Sequence, residues 1–167
     1  SPVGFAFGSF DRVLAEAQKS AEVTHSHPEG IKGAQATAAA VYLARTGSSK
    51  KEIKQFIADT YHYDLAQTVN AIRPTYQFDV SCQGSVPQAI VCFLESDSVI
   101  DAIRLAVSLG GDSDTLACIA GGIAYAFHKT LPEPVHQEIK SRLHPFLWEI
   151  VNEFSHNYLN DFSLTNV

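Results

Sequence analysis

Gly110-Gly111-Asp112-Ser113-Asp114-Thr115 runs directly into Leu116-Ala117-Cys118-Ile119-Ala120-Gly121-Gly122-Ile123-Ala124-Tyr125-Ala126-Phe127, and this stretch decides the architecture. The run from Leu116 to Phe127 is apolar on nearly every face, which predicts a helix enclosed by other helices. It is too short to cross a bilayer core, which takes about 20 residues. The double glycine permits a tight turn into it. Asp112, Ser113, Asp114 and Thr115 then place four oxygen-bearing side chains in four residues. Such a set serves two purposes. Asp, Ser and Thr cap helix N-termini and complement the helix dipole. They are also the hard oxygen donors that Mg²⁺ or Ca²⁺ requires. Two close carboxylates beside a buried helix would repel and lose hydration, which a cation would relieve. Spacing alone leaves capping and metal binding both open.

Working outward, helical periodicity dominates. Phe10, Val13, Leu14 and Ala17 recur at helical spacing from Ser9 to about Lys19. His25 to Gly30 reads as a break, punctuated by Pro28 and Gly30. An Ala-rich helix spans Ile31 to Arg45, with Gly47 as its C-terminal cap. Ser49-Lys50-Lys51-Glu52 is a capping box, followed by the buried stripe Ile53, Phe56 and Ile57. Tyr61 to Asp79, with its Arg73-Pro74 break, reads as loop or short helices. Gly84-Ser85 opens a helix carrying Val86, Ala89, Ile90 and Phe93, and Ser96-Asp97-Ser98 opens the next, which Gly110-Gly111 ends. Pro132 and Pro134 open the last helical stretch, and Pro145 breaks or kinks it. No alternating strand pattern, repeat or linker occurs. The fold class expected is an all-α, multi-helical orthogonal bundle, one domain over residues 1–167.

The composition supports this. Hydrophobic residues make up 46% and charged residues 18% of 167, which is globular. The net charge of −6, with no basic patch, argues against a nucleic-acid partner. No membrane partner is expected either. Cys82, Cys92 and Cys118 are odd in number and lack metal-knuckle spacing. Cys92 and Cys118 fall in apolar helical patterns and read as small buried hydrophobes. The cysteines fit a reducing, cytoplasmic setting. The chain has no Met, and Ser1-Pro2-Val3-Gly4-Phe5-Ala6-Phe7 is apolar. Both features are expected of a domain incomplete at its N-terminus, whose uncovered apolar faces would self-associate or hold a companion N-terminal fragment.

Other candidates are weaker. His25-Ser26-His27 has the residue type of a transition-metal pair, but loop and capping histidines are commoner. Glu29 could serve as a base, with no second positioned acid beside it. Cys82 lies in a polar stretch, with nothing to lower its pKa. Tyr61, Tyr63, Tyr76 and Phe78 read equally as walls of a nucleotide pocket or as edges of the core.

Gly110–Thr115, with Ala120-Gly121-Gly122-Ile123-Ala124, resembles the C-terminal metal motif of the ADP-ribosylglycohydrolase family. Ser1-Pro2-Val3-Gly4, Thr24-His25-Ser26-His27-Pro28-Glu29-Gly30, Gly33-Ala34-Gln35-Ala36 and Phe78-Asp79-Val80-Ser81-Cys82-Gln83-Gly84-Ser85-Val86-Pro87 are similar to further family segments, in the family's order. The resemblance implies an all-α hydrolase that uses two Mg²⁺ ions to cleave the N- or O-glycosidic bond joining ADP-ribose to a protein or small-molecule acceptor. It implies Asp112, Asp114 and Thr115 as metal ligands, and His25, Gly84, Ser85, Gly111 and Ser113 as residues that contact ADP-ribose or an ADP-ribosylated protein. Three departures stand out. The family's N-terminal Gly-Asp-containing motif and the acidic residue it uses in catalysis have no counterpart here. Its Thr-Asp-Asp-Thr motif, which supplies the other metal ligands, has none either. Ala126-Phe127-His128 stands where relatives often carry a glycine. The expected catalytic residue therefore lies outside this chain, which alone is expected to be inactive. The alternative is a non-catalytic ADP-ribose-binding or structural member of the same fold.

Overall fold

In the computed structural model, residues 1–160 and 162–165 are described, the last three by backbone alone. Ten helices appear among them: α1 (Pro2–Ala6), α2 (Phe10–Glu22), α3 (Pro28–Arg45), α4 (Lys50–Tyr61), α5 (Val69–Ile72), α6 (Cys82–Glu95), α7 (Val99–Ser108), α8 (Ser113–His128), α9 (Glu133–Arg142) and α10 (Pro145–Tyr158). The all-α expectation holds, with one small addition. The strands β1 (Thr130–Pro132) and β2 (Ser163–Thr165) pair in parallel, Leu131 opposite Leu164. Each strand has three residues, too few for an alternating pattern to register in the sequence.

The core forms around α3 and α8. Small residues on α3 (Ala36, Ala38, Ala39, Ala40 and Ala44) are buried, and they let α1, α2, α4, α6 and α8 approach closely. Gly4 shows how closely: a Cβ there would lie 2.6 Å from Val41 Cβ and 2.7 Å from the Ala38 carbonyl. Along α8, Leu116, Ala120, Ile123, Ala124 and Ala126 have no contact with water. Ile53 and Ile57 of α4 and Ile90 and Phe93 of α6 complete the interior. Each such side chain contributes roughly 1.5–3 kcal/mol of transfer free energy on burial.

Helix ends follow their capping chemistry. Gly47 adopts φ 96° just past α3, its amide bonding Ala44 O at 3.2 Å while Ser48 N bonds Leu43 O at 3.0 Å, which is the Schellman arrangement. Ser49 Oγ accepts from Glu52 N, and Glu52 Oε2 accepts from Ser49 N at 2.7 Å, completing the capping box. Helix α6 starts at Cys82, earlier than Gly84-Ser85, because Ser81 Oγ accepts from Gly84 N at 3.1 Å. Pro28 does not break the chain but opens α3, where a missing N–H costs nothing. Pro145 likewise opens α10.

One expectation about side chains needs correction, and one open alternative is decided. Cys92 is buried, but Cys118 is exposed. It sits one turn beyond Asp114 and Thr115, on the face of α8 that reaches solvent. An apolar sequence on all sides did not reveal which face stays uncovered. Tyr61 and Tyr63, at 7% and 6% exposure, are core residues, which settles that alternative against a pocket wall. No residue of α9 or α10 is buried; Phe146, Leu147, Ile150 and Val151 are exposed, and Ile150 and Val151 line a cavity of about 580 Å³. No described helix is long and apolar enough to cross a membrane.

Candidate functional site

The turn between α7 and α8 is built by two consecutive left-handed glycines, Gly110 at φ 75° and Gly111 at φ 60°. Gly110 faces open space. Gly111 is pressed on the loop before α6: a Cβ there would stand 2.8 Å from Tyr76 Cε1 and 3.0 Å from the Gln77 carbonyl. Asp112 follows in the N-cap position of α8, and its carbonyl accepts the first helical bond, from Leu116 N at 3.1 Å. Its side chain makes no capping hydrogen bond. Asp112 and Ser113 are half-buried, while Asp114 and Thr115 are exposed.

This geometry bears on the capping reading of the motif. Asp112 stands where a cap would stand and does not act as one. The Asp114 carboxyl is held below the usual carboxylate range, first by a hydrogen bond with the Asp112 carboxyl and then by the backbone amides of Thr115 and Asp114 itself. Neither aspartate is ion-paired among the described residues. The argument from deep burial fails, because the body of α8 is enclosed but its N-terminus reaches solvent. The argument from orientation replaces it: two carboxylates and a threonine hydroxyl lie on one turn, with at least one carboxylate unused by the helix. The donor set suits a hard divalent cation. Among the described residues, no third His, Cys, Asp or Glu joins the pair at metal-binding distance.

The other candidate residues divide. Gly84 and Ser85 sit in the first turn of α6, which Asp79 covers. Asp79 Oδ1 accepts from Ser81 N at 2.7 Å, and Asp79 Oδ2 lies 1.9 Å from the point a Gly84 Cβ would occupy. A side chain at position 84 would displace the Asp79 carboxylate. Ser81 and its amide hold the Asp79 carboxyl below the usual range. Ser85 Oγ bonds the carbonyls of Ser81 (2.8 Å) and Asp79 (3.0 Å). Tyr76 bridges this turn to Gly111. A depression of about 430 Å³ runs along Tyr76, Gln77, Phe78, Asp79, Gly84 and Gln88. Phe78, 70% exposed, forms part of its rim.

His25 lies elsewhere. It borders a second depression of about 400 Å³ with Ser81, Cys82 and Gln83, so the first turn of α6 is a wall common to both. Its Nδ1 pairs with Thr24 Oγ1 at 2.8 Å, while His27 Nδ1 accepts from Glu29 N at 3.2 Å as the cap of α3. That capping role accounts for His27 without a metal. Glu29 forms an ion pair with Lys32. Burial, with Glu29 nearby, pushes the Cys82 thiol up, the opposite of an activated nucleophile. Tyr76 and Asp79 are the residues whose importance sequence reasoning missed. The Asp79-x-Ser81 spacing, two residues before a helix start, was an available signal for the turn.

The sequence profile described as ADP-ribosylglycohydrolase matches residues 1–162. The ADP-ribosylhydrolase ARH3 of Homo sapiens is 28% identical over 171 aligned residues, covering 75% of this chain and 47% of the relative. The Bos taurus protein of the same name is 30% identical, covering 81% and 50%. An uncharacterized protein of Archaeoglobus fulgidus is 26% identical, covering 99% and 58%. The chain thus spans about half the length of the curated relatives it matches. With the sequence match running nearly end to end over an all-helical fold, the chain belongs to the ADP-ribosylglycohydrolase family.

Proposed function

We propose that this chain supplies the C-terminal part of a hydrolase that cleaves the glycosidic bond between ADP-ribose and a protein or small-molecule acceptor. The supporting observation is the Asp112–Thr115 turn, where the Asp112 carboxylate stands at a helix start without capping it. Asp112, Asp114 and Thr115 would hold Mg²⁺, two ions being the family's complement. Mg²⁺ held there would supply Lewis-acid chemistry, helping to place the ribose diol and a water and to stabilise developing charge. Around it, Gly111 brings backbone close to the ligand, and Ser113 opens α8 with its amide at the positive end of the helix dipole. Gly84 and Ser85 contribute the facing wall, and His25 the neighbouring depression. The catalytic acid would come from residues outside this chain, and a companion N-terminal segment or a second copy would cover its apolar faces. A cytoplasmic setting, with no nucleic acid or membrane as partner, completes the proposal.

The second reading is a non-catalytic ADP-ribose-binding member. It is favoured by the lack of a third metal-binding side chain at Asp112 and Asp114 among the described residues. Calorimetric titration with ADP-ribose, with and without Mg²⁺, tests the shared premise. Mg²⁺-dependent binding that Asp112→Ala removes supports a metal-centred site. Binding that ignores both Mg²⁺ and Asp112→Ala supports the second reading, and no binding under either condition overturns both. Incubation with ADP-ribosylated protein and Mg²⁺ should release little ADP-ribose; efficient release would overturn the assignment of the catalytic acid to residues elsewhere.

A further inference from the structure

Helices α9 and α10 close over the far end of α8 without filling the space beneath them. Lys129, left-handed at φ 58°, ends α8 and turns the chain into β1, and His144 caps the start of α10. No residue of α9 or α10 is buried. A cavity of about 580 Å³ is left against Tyr125 and Leu131, walled by Trp148, Val151 and Phe154 of α10 and by Phe162 beyond it. The rings brace one another: Tyr125 and Phe162 lie 4.9 Å apart, and His136 meets Trp148 edge-on at 5.2 Å. Tyr125 stands thirteen residues after Asp112, which is roughly 20 Å along α8. The cavity is therefore separate from the aspartate turn.

Its size and walls are those of a small-molecule site, which encloses roughly 300–1,000 Å³ of mostly apolar lining. Water is poorly held in such a space, because each ordered molecule needs about two to four polar partners. One polar atom of the wall, Nδ1 of His136, is buried and has no partner among the described residues. The charge at the cavity has a sign. Among the described residues no carboxylate lines it. Lys140 Nζ stands 5.9 Å from the Trp148 ring centroid, and Lys129 Nζ 6.0 Å from that of Phe162. Neither ammonium has a carboxylate partner among the described residues. On α9, Glu133 is engaged by Gln137 and Glu138 by Arg142, while Glu149 and Glu153 of α10 are exposed and line no part of the cavity. Two such cations at one apolar cavity, in a chain of net charge −6, favour an anionic head group. A cationic ligand would meet them at the ring faces it needs.

We propose that this cavity binds an amphipathic carboxylate, whose apolar body fills the space between Tyr125, Trp148, Phe154 and Phe162 and whose head group is drawn by Lys129 and Lys140. The inference does not depend on the metal reading of Asp112.

Trp148 is the only tryptophan of the chain, so its emission reports filling of the cavity without a label. The full chain is titrated with decanoate below its micelle-forming concentration, and with decanamide and decylammonium, which keep the tail and change the head. Decanoate is expected to change the Trp148 emission saturably and to bind tightest, with decylammonium weakest. Lys129→Gln and Lys140→Gln should each weaken decanoate by about 2- to 5-fold and leave decanamide unchanged. Equal affinity for decanoate and decanamide, or decanoate binding indifferent to both lysine substitutions, overturns the anion assignment. Tighter binding of decylammonium overturns it by making the rings a cation site. Emission that shifts with protein concentration and ignores decanoate assigns the cavity to a second copy of the chain and overturns the proposal. Emission that responds to neither overturns it as well.

Discussion

Gly110 and Gly111 are adjacent, both left-handed, and differ in one respect that substitution can isolate. Alanine at either position must adopt φ near +60° to +75°, which costs roughly 1–2 kcal/mol. Losing glycine's freedom in the unfolded chain offsets about 0.4–1 kcal/mol of that. At Gly110 nothing lies within 4 Å of the new methyl, so Gly110→Ala should destabilise by about 1 kcal/mol. At Gly111 the methyl meets Tyr76 Cε1 at 2.8 Å and the Gln77 carbonyl at 3.0 Å. Backbone is one of the two obstacles, so the clash is not relieved by a rotamer change, and overpacking adds roughly 1–3 kcal/mol. Gly111→Ala should therefore cost about 2–4 kcal/mol, by the sum of these terms. For a chain of this size each kcal/mol lowers the melting temperature by about 2–4 °C. Urea unfolding of the two variants and wild type measures the difference, provided their m-values agree. Tyr76→Ala should cost less in the Gly111→Ala background than alone, because it opens space for the methyl. Equal destabilisation by Gly110→Ala and Gly111→Ala would refute the packing of the Tyr76 loop on the turn, and with it the geometry on which the site is built.

The thiols make a second test. Cys118 should react rapidly with a thiol reagent in the native protein while Cys92 stays silent until unfolding, because Cys118 is exposed and burial pushes the Cys92 thiol up to about 12; modification of Cys92 at the native rate of Cys118 would contradict the placement of α6. Stability should also respond to His128. Burial first, and then the Lys50 ammonium, lower its pKa below 6.5, with Asp97 opposing, so the folded state holds the neutral ring. A depressed folded pKa means the contribution is complete above the unfolded value of about 6.5 and is lost as pH falls through the folded value. Wild type should therefore lose more stability between pH 7 and pH 5 than His128→Gln does, measured by urea unfolding; parallel losses would show that His128 titrates normally.

How much of this was legible in the sequence depends on whether the signal was local. The Schellman end at Gly47 and the capping box at Ser49 and Glu52 were legible because every group involved lies within six residues. The His-Pro pairs show a local signal with two meanings. Pro28 and Pro145 mark a boundary either way, but each opens a helix, and in each case the preceding histidine is the cap: His27 Nδ1 accepts from Glu29 N, and His144 Nδ1 from Phe146 N at 3.3 Å. Histidine is not among the favoured cap residues, so the pattern read as a break. Cys118 was misplaced because a helix with apolar residues on nearly every side gives little local pattern to show which face solvent reaches. The β1–β2 pairing and the Tyr76–Gly111 contact join segments about thirty residues apart, and no local pattern encodes them.

The candidate site follows the same division. Glycines and oxygen donors at residues 110–115 were visible as a composition. Capping and metal binding call for the same residues at the same place, because both exploit unfilled donors and acceptors where a helix begins. What separates them is where the Asp112 carboxylate goes, and that is set by the backbone at φ −80°, ψ 59°, outside the extended conformation of the N-caps Ser49, Ser81 and Ser98. The left-handed pair before it imposes that backbone, and the Tyr76 loop packed on Gly111 holds the pair. A residue some thirty-five positions upstream thus packs against a helix start whose N-cap carboxylate makes no capping bond.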